Sequence, residues 1–258
     1  KGQAPNFQGK VVLITGGSGT IGFETAKTFA SQGAQCFLID VSEKSLLTSL
    51  EKLGEGHFGK VLDITDPEAA KEAIQSVVEA FGGVDILISN AGSAKPGSIA
   101  DLDIKVVRDS FEVNFFAHYE FAKAFAKVLK LQGRGGQILF NISKQAVNPG
   151  KNFGAYGLPK ATTMFLMRQL ALELGSENIR VNGVNADRIR SGLLTDEHIS
   201  QRADARGVSE DRYMAGNLLN KEVMASHVAD AFVALACSVR TTGHVMTVDG
   251  GNIEASLR

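Results

Sequence analysis

Short apolar runs alternate along the chain with longer segments in which apolar residues recur at every third or fourth position. The short runs are rich in β-branched residues, too short for a core helix and bounded by Gly or polar residues, as buried parallel strands are. They predict seven strands, at residues 10–15, 34–40, 57–62, 84–89, 136–142, 179–184 and 244–248. The longer segments predict helices at residues 21–32, 67–81, 107–131, 161–174 and 227–236.

The regular alternation of strand and helix predicts the fold class. Repeated β-α units place their strands parallel in one sheet, with the connecting helices packed on both of its faces. We therefore expect an α/β protein with a doubly wound, seven-stranded parallel sheet. A chain of 258 residues could hold one large domain or two small ones. Because no linker, low-complexity tract or internal repeat interrupts the pattern, a single domain over residues 1–258 is the better interpretation.

One polar insertion departs from this rhythm. Residues 191–221 follow the sixth predicted strand and contain two short helix-like pieces. Long excursions between a late strand and the next helix are usually lids or substrate loops. The insertion is therefore the predicted substrate loop.

Composition and charge argue against several classes of partner. Lys and Arg (27) nearly balance Asp and Glu (28), and a net charge of −1 gives no global attraction to nucleic acid or an anionic membrane. No apolar segment approaches the roughly 20 residues of a membrane helix, and no basic-then-apolar leader opens the chain. Cys36 and Cys237 lie far apart in apolar stretches, which predicts packed thiols and a cytoplasmic, reducing location. The first residue is Lys1 rather than Met, as in a trimmed chain or a piece of a longer polypeptide.

A glycine-rich stretch, TGGSGTIG, follows the first predicted strand and leads into the first predicted helix. It fits G-x-G-x-x-G with Gly17, Gly19 and Gly22, and T-G-x-x-G-x-x-G with Gly16, Gly19 and Gly22. In either frame, backbone N–H groups and a helix N-terminus form a cradle for a pyrophosphate. The stretch therefore predicts a dinucleotide site without specifying a reaction.

Two further turns favour the same ligand. Asp40 closes the second predicted strand, where a carboxylate accepts hydrogen bonds from ribose hydroxyls and repels a 2′-phosphate. Val41 supplies no cation for such a phosphate, so NAD is favoured over NADP, with a plain turn residue as the alternative for Asp40. Asn90, Ala91 and Gly92 form a tight turn of small residues after the fourth strand, against which a cofactor could lie.

Three residues carry the strongest chemical signal. Tyr156 and Lys160 are four apart and share one face of a helix, where an ammonium beside a phenol favours phenolate and lowers the pKa of the phenol. Tyr156 is thus a candidate general acid/base. Pro159 costs little only in a first helical turn, which places the pair at a helix start. A Tyr–Lys pair alone is common on protein surfaces, but Ser143, at the end of the fifth predicted strand, makes a candidate active site.

Taken together, these features resemble the short-chain dehydrogenase/reductase family over nearly the whole chain. The resemblance implies a single-domain Rossmann fold, NAD as the cofactor, no metal, and a homo-oligomer, either tetramer or dimer, that packs through the closing segment. It rests on TGGSGTIG, Asp40, Asp63-Ile64, NAG at 90–92, Asn114 in EVNFF, Ser143, YGLPK at 156–160, IRVNGVNA and TTGHVMTVDGG.

The resemblance also implies a role for each matched position. Tyr156 would exchange a proton with the substrate oxygen, Ser143 would hold that oxygen, and Lys160 would bind the nicotinamide ribose and acidify Tyr156. Asn114 would hold a water of the proton relay, although a buried amide bridging two helices would look the same. Asp63 and Ile64 would line the adenine site. The implied cofactor contacts are Gly16, Ser18, Gly19, Thr20, Ile21, Asp40, Asp63, Ile64, Asn90, Ala91, Gly92, Tyr156, Lys160 and Ile189.

Two departures from the family pattern bear on function. The usual glycine-rich loop of the single-domain dehydrogenases is T-G-x-x-x-G-x-G, whereas T-G-x-x-G-x-x-G is typical of the family's larger epimerases and dehydratases. After the sixth strand, Ala186-Asp187 stands where the family has Pro-Gly near the nicotinamide. A carboxylate there would favour the oxidised cofactor and hence alcohol oxidation, with a solvent-facing loop residue as an equal alternative for Asp187.

Three cations near the predicted active site suggest the substrate class. Lys144, Arg188 and Arg190 could converge near the reacting carbonyl, as a carboxylate or phosphate on a small substrate would require, with solvated surface charge as the alternative. With Ser143 and Tyr156 they form the predicted substrate-binding set, for a polar or anionic carbohydrate fragment.

A narrower resemblance concerns two segments, FNISKQAVNPGKNFGAYGLPK and NADRIRSGLLTDE. They look like the dehydrogenase portion of bifunctional aldolase/short-chain dehydrogenases of bacterial deoxysugar catabolism. That likeness implies a small hydroxyaldehyde or a sugar-derived alcohol as the substrate.

The sequence as a whole thus predicts an NAD-dependent oxidoreductase that interconverts a small polar or anionic alcohol and its carbonyl compound. A non-catalytic dinucleotide-binding module is the alternative from another class, and the occupied catalytic positions argue against it. An epimerase or dehydratase is a third interpretation, which rests on the glycine-rich loop.

Overall fold

The computed structural model describes residues 7–252. Within them, every strand predicted from the apolar pattern is present, with ends that differ from the prediction by at most two residues. The strands are β1 (Val11–Thr15), β2 (Gln35–Asp40), β3 (Phe58–Val61), β4 (Ile86–Ser89), β5 (Gly136–Asn141), β6 (Ile179–Ala186) and β7 (Val245–Val248).

The seven strands form one parallel sheet in the order β3-β2-β1-β4-β5-β6-β7, as expected. From β1 the chain first builds outward through β2 and β3, and it then returns to build β4 to β7 on the other side. The carboxyl ends of β1 and β4 therefore flank the point where the strand order reverses. Open α/β sheets bind their ligands in the crevice at such a point.

The helices partly differ from the prediction. They are α1 (Thr20–Ser31), α2 (Glu43–Leu53), α3 (Ala69–Phe81), α4 (Ile104–Phe111), α5 (Ala117–Gln132), α6 (Gly154–Leu174), α7 (Asp196–Asp204), α8 (Glu210–Met214) and α9 (Ala225–Cys237). The pattern does not predict α2, although Ser42 caps it through a hydrogen bond from the Ser45 N–H, 3.3 Å long. The segment predicted as one helix at 107–131 is two, because a π-helical turn, Glu112–Phe116, separates α4 from α5.

One correction concerns the start of α6. Helix α6 begins seven residues before the predicted start, so Pro159 is its sixth residue and lies in the second turn rather than the first. A proline there cannot donate to the carbonyl one turn earlier.

The two cysteines differ in burial. Cys36 is buried, which raises the pKa of its thiol to about 12. Cys237 is exposed at the end of α9, so only the first of the two predicted packed thiols is packed.

The core lies on both faces of the sheet, as β1 shows most simply. Alternate side chains of a strand point to opposite faces. Val11 and Leu13 pack with residues of α3, α5 and α6, whereas Val12 and Ile14 pack with residues of α1 and α9. Helices therefore cover both faces, which confirms that part of the prediction.

The predicted substrate loop contains α7 and α8 and has a small apolar cluster of its own, which includes Leu194, Ile199, Tyr213 and Met214. Across residues 7–252, no helix is long and apolar enough to cross a membrane. The same residues include no cluster of His, Cys, Asp or Glu side chains suited to a metal ion.

Candidate active site

A cleft of about 560 Å³ opens at the carboxyl ends of β1, β2 and β4. Ten of the predicted cofactor contacts line it: Gly16, Gly19, Thr20, Ile21, Asp40, Asp63, Ile64, Asn90, Ala91 and Gly92. Ser191, Gly192 and Leu193, at the start of the predicted substrate loop, form part of the same wall, although the sequence analysis did not name them as cofactor contacts. The side chain of Ile189 packs in the apolar core and is not in this wall, and its contact with the cofactor stays a prediction.

The glycine-rich turn fits its neighbours only with glycine at three positions. Gly16 has a φ of +62°, and a Cβ there would lie 2.9 Å from the Cα of Ala91. A Cβ on Gly22 would lie 2.1 Å from the carbonyl oxygen of Gly16, and one on Gly17 would lie 2.8 Å from the Cβ of Leu38. At Gly19, which precedes α1, the nearest atom would be 3.4 Å away. The close backbone approach therefore depends on Gly16, Gly17 and Gly22, and the space at Gly19 suits a phosphate at the helix N-terminus.

Asp40 is held at the edge of the cleft by two backbone donors. Its Oδ2 accepts a hydrogen bond from the Ser18 N–H and its Oδ1 accepts one from the Ser42 N–H, both 3.1 Å long. The next side chain, Val41, is apolar and 69% exposed. Ser18 also has a buried hydroxyl with no hydrogen-bond partner among the described residues. The Asp40 carboxylate lines the cleft and is available to a ligand there, which fits a dinucleotide, whereas Ser18 is not part of the cleft wall.

The turn at 90–92 is bonded to β1 and β5. Thr15 Oγ1 accepts hydrogen bonds from the backbone N–H groups of Asn90 (2.9 Å) and Ala91 (3.2 Å). The Asn90 side chain donates to the carbonyls of Thr15 and Gly16 and accepts from Asn141 Nδ2 at 2.9 Å. Asn90 therefore contributes by fixing the shape of the cleft.

His118, on α5, is a buried polar residue for which the sequence analysis found no signal. Its ring nitrogens lie 2.6 Å from Ser89 Oγ and 2.9 Å from the Ala91 carbonyl oxygen. A carbonyl only accepts, so Nε2 carries the proton and Nδ1 accepts from Ser89. Burial, together with the nearby charge of Lys160, lowers the pKa of His118 to about 3. A neutral imidazole therefore holds the Ala91 carbonyl in place.

The structure brings Ser143, Tyr156 and Lys160 together beside this cleft. The Ser143 hydroxyl is hydrogen-bonded to the Tyr156 hydroxyl. Lys160 Nζ lies 5.7 Å from the centre of the Tyr156 ring and donates to the Asn141 carbonyl at 2.9 Å. Asn141 itself lines the cleft, and a Cβ on Gly92 would be 3.8 Å from Lys160 Nζ.

The pKa of Tyr156 differs from the expectation. Burial raises it to about 12, against a smaller lowering by the hydrogen bond from Ser143. Burial also lowers the pKa of Lys160 to about 8. A proximal ammonium favours phenolate, but desolvation of a buried phenolate outweighs that effect here. Tyr156 is therefore a phenol at neutral pH.

Asn114 lies in the π-helical turn and is fully buried. Its Nδ2 donates to the Ser93 carbonyl (2.8 Å) and to Ser110 Oγ (3.0 Å), so the amide joins the loop after β4 to α4. The backbone carbonyl of Asn114 accepts a hydrogen bond from Thr163 Oγ1 at 2.6 Å. The side-chain amide thus bridges a loop and a helix rather than two helices, and the relay role stays a prediction.

Each of the three predicted substrate-binding cations already has a partner in the protein. Lys144 is buried and pairs with Asp249 at 2.8 Å. Arg190 pairs with Asp196 and Glu222. None of these cations is in the wall of the cleft that the described residues form.

Arg188, the third cation, has a φ of +53° and lies over the Tyr213 ring, 4.6 Å from its centre, while it donates to the Tyr213 carbonyl. Asp187 accepts a 2.6 Å hydrogen bond from Asn252 Nδ2 and lies 3.7 Å from Arg188 Nε. Asp187 is thus tied to the end of the described chain and to Arg188, and its influence on the cofactor stays a prediction.

Comparison with known proteins gives a family for this geometry. The family model described as short chain dehydrogenase matches residues 10–201. L-rhamnose 1-dehydrogenase (NAD(P)(+)) from Sphingomonas sp. (strain SKA58) is 32% identical over 95% of this chain and 96% of its own length. The uncharacterized oxidoreductase YuxG of Bacillus subtilis (strain 168) is also 32% identical, and the chain spans 37% of its length. Carveol dehydrogenase from Mycobacterium avium, solved in complex with NAD, superposes with a TM-score of 0.90 at 26% identity, over 97% of this chain and 100% of that one.

The glycine contacts predict a contrast between two substitutions. Gly22→Ala places a Cβ against the Gly16 backbone and should lower the free energy of unfolding by about 1–3 kcal/mol, as overpacking does. Gly19→Ala meets nothing closer than 3.4 Å and should leave stability near wild type. Denaturant unfolding of both variants tests this. Equal stability of the two would mean that the turn can rearrange.

His118 predicts a loss of stability in acid. Because its pKa falls from 6.5 to about 3 on folding, the unfolded chain binds a proton below pH 6.5 that the folded chain does not. This residue should therefore cost about 2 kcal/mol of stability between pH 6.5 and pH 5. His118→Gln keeps a donor and an acceptor but does not titrate, so its stability should fall less steeply when unfolding is measured across this range. Parallel curves for the two proteins would contradict the prediction.

Proposed function

The chain belongs to the short-chain dehydrogenase family, and on that basis we propose that it is an NAD-dependent oxidoreductase that interconverts a small polar alcohol and its carbonyl compound. The observation that carries the proposal is the hydrogen bond between the Ser143 and Tyr156 hydroxyls, beside a cleft that ten of the predicted cofactor contacts line. When bound, NAD would accept or return a hydride at its nicotinamide ring.

The residues that would hold the cofactor follow from the cleft. Gly16 and Gly22 let the backbone approach a pyrophosphate, and the N-terminus of α1 faces it. Asp40 would accept hydrogen bonds from ribose hydroxyls, and its charge would repel a 2′-phosphate. The carboxylate and the apolar Val41 support NAD, while the name of the Sphingomonas relative includes both NAD and NADP.

The catalytic residues would handle the proton and the substrate oxygen. Ser143 would donate a hydrogen bond to that oxygen, and Tyr156 would give it a proton in carbonyl reduction or take one in alcohol oxidation. Because burial raises the pKa of Tyr156 to about 12, the phenol, which is the acid form that reduction needs, prevails at neutral pH. The charge of Lys160, 5.7 Å from the ring, would lower the cost of the phenolate that oxidation needs. We therefore expect oxidation, but not reduction, to accelerate as pH rises.

For the substrate, the paired state of Lys144, Arg188 and Arg190 supports a polar alcohol more than an anionic one. The name of the rhamnose dehydrogenase relative supports a sugar or a sugar-derived alcohol. The bifunctional aldolase subgroup gains no support from the matched family, which covers the dehydrogenase alone.

A homo-oligomer is part of the proposal. Large apolar side chains are exposed on α5 and α6, including Leu131, Leu158, Phe165 and Leu172. Exposed apolar patches of this kind favour association.

Removal of the Tyr156 hydroxyl tests the reaction. Tyr156→Phe should lower kcat about 10²–10⁴-fold on a panel of sugars and hydroxyaldehydes, because the general acid/base is lost, and NADH binding should persist. The readouts are NADH absorbance for turnover and NADH fluorescence for binding. Tyr119→Phe, a change on the exposed face of α5, is the matched control. Cofactor binding without turnover in the wild type would instead indicate a binding module, and product without net NADH change would indicate an epimerase or dehydratase.

Neutralisation of Asp40 tests cofactor choice. Asp40→Asn keeps the size of the side chain but removes the charge that would repel a 2′-phosphate. The ratio of kcat/KM for NADP to that for NAD should rise about tenfold or more. Glu43→Gln, at an exposed carboxylate three residues further on, should leave the ratio unchanged. An unchanged ratio in Asp40→Asn would mean that Asp40 does not select the cofactor.

A further inference from the structure

The pair formed by Lys144 and Asp249 is the most deeply buried ion pair of the described residues. Its side chains are only 5% and 10% exposed, and Lys144 Nζ lies 2.8 Å from Asp249 Oδ2. Lys144 directly follows Ser143, whereas Asp249 directly follows β7, 105 residues later. The bond therefore ties the edge strand of the sheet to the residue next to a proposed catalytic hydroxyl.

Asp249 is itself fixed by its surroundings. Its Oδ1 accepts a 2.8 Å hydrogen bond from the Gly251 N–H. Partial burial raises the pKa of Asp249, but the hydrogen bonds from Lys144 and Gly251 and the Lys144 charge together lower it below its usual range. The carbonyls of Gly250 and Gly251 accept hydrogen bonds from the N–H groups of Leu219 and Leu218. The carboxylate is therefore a firm anchor for Lys144.

On the other side of the pair, Lys144 begins a short turn that packs against α6, the helix that carries Tyr156. Residues Lys144–Ala146 form a 3₁₀ turn, whose Ala146 N–H donates to the Ser143 carbonyl at 2.9 Å, while the Gln145 N–H donates to Ser143 Oγ at 3.2 Å. A Cβ on Gly157 would lie 2.9 Å from the Gln145 carbonyl. The turn thus lies directly against the residue that follows Tyr156, and it also bonds the Ser143 hydroxyl.

We propose that the Lys144–Asp249 ion pair positions Ser143 against Tyr156 by anchoring the turn after β5 to the end of β7. The inference rests on the proposed function for its catalytic consequence, but the geometry that it describes can be measured without turnover. In this interpretation Lys144 and Asp249 are positioning residues and do not contact the substrate.

The test uses a double variant, Lys144→Met with Asp249→Asn. It removes both charges together, because a single change would leave a buried charge unpaired and could unfold the protein. The asparagine side chain retains an oxygen that can accept from the Gly251 N–H. Asp249→Glu is a milder second variant that keeps both charges and lengthens the anchor by one methylene. The control is Lys130→Met with Glu177→Gln, which removes an exposed ion pair, 2.6 Å long, between the last turn of α5 and the turn after α6.

The direct readout is the ¹³Cζ resonance of Tyr156 in protein labelled at tyrosine. The chain contains three tyrosines, so Tyr156→Phe assigns the signal, and Ser143→Ala shows where it moves when the hydrogen bond is lost. We expect the Tyr156 resonance to shift in the double variant in the same direction as in Ser143→Ala. The shift should be smaller in Asp249→Glu and absent in the control. The kcat should fall about tenfold or more while the Kd for NADH is unchanged, since a misplaced group slows the chemical step.

A wild-type Tyr156 resonance in the folded double variant would overturn the positioning role. If the double variant does not fold, the same result in folded Asp249→Glu would overturn it. An effect on kcat that adds in full to that of Ser143→Ala would also overturn it, because residues acting through Ser143 cannot act when its hydroxyl is absent. If the resonance moves as expected but the wild type turns over no alcohol, the positioning stands and the proposed function fails.

Discussion

The close contact between the turn after β1 and the turn after β4 is the constraint on which the rest of the site depends. Gly16 lies against the Cα of Ala91, and Gly22 lies against the carbonyl of Gly16, so neither position has room for a side chain. Thr15 Oγ1 then bonds two backbone N–H groups of the turn at 90–92. These contacts fix the positions of the start of α1 and of the turn at 90–92 relative to each other. The crevice at the strand reversal is therefore preformed.

Burial sets the protonation states of the polar groups beside this cleft. Asn114, His118 and Lys160 have almost no exposed surface, and each satisfies its polar atoms with backbone or hydroxyl partners. Desolvation keeps His118 and Tyr156 neutral and weakens the hold of Lys160 on its proton. The same low-dielectric surroundings that make the network rigid thus set the protonation states with which a reaction would begin.

Much of this could be predicted from the sequence, because it depends on local patterns. Each strand is a buried apolar run, and the spacing of Tyr156 and Lys160 already places them on one helical face. Helix α2 escaped prediction since its apolar face is short, and α6 starts early because Gly and Pro obscure its pattern. His118 gave no signal at all, since its partners, Ser89 and the Ala91 carbonyl, are 27 or more residues away.

The sequence by itself determined the parallel α/β architecture, the glycine-rich turn and the Ser143, Tyr156 and Lys160 triplet, since periodicity and short-range spacing encode all three. Only the tertiary structure decided how the charges pair. The sequence predicts Lys144, Arg188 and Arg190 as free cations near the candidate active site, but their partners lie on other elements. Tertiary burial likewise reversed the expected shift of the Tyr156 pKa. Electrostatics depends on distances across the fold, and a linear pattern does not contain those distances.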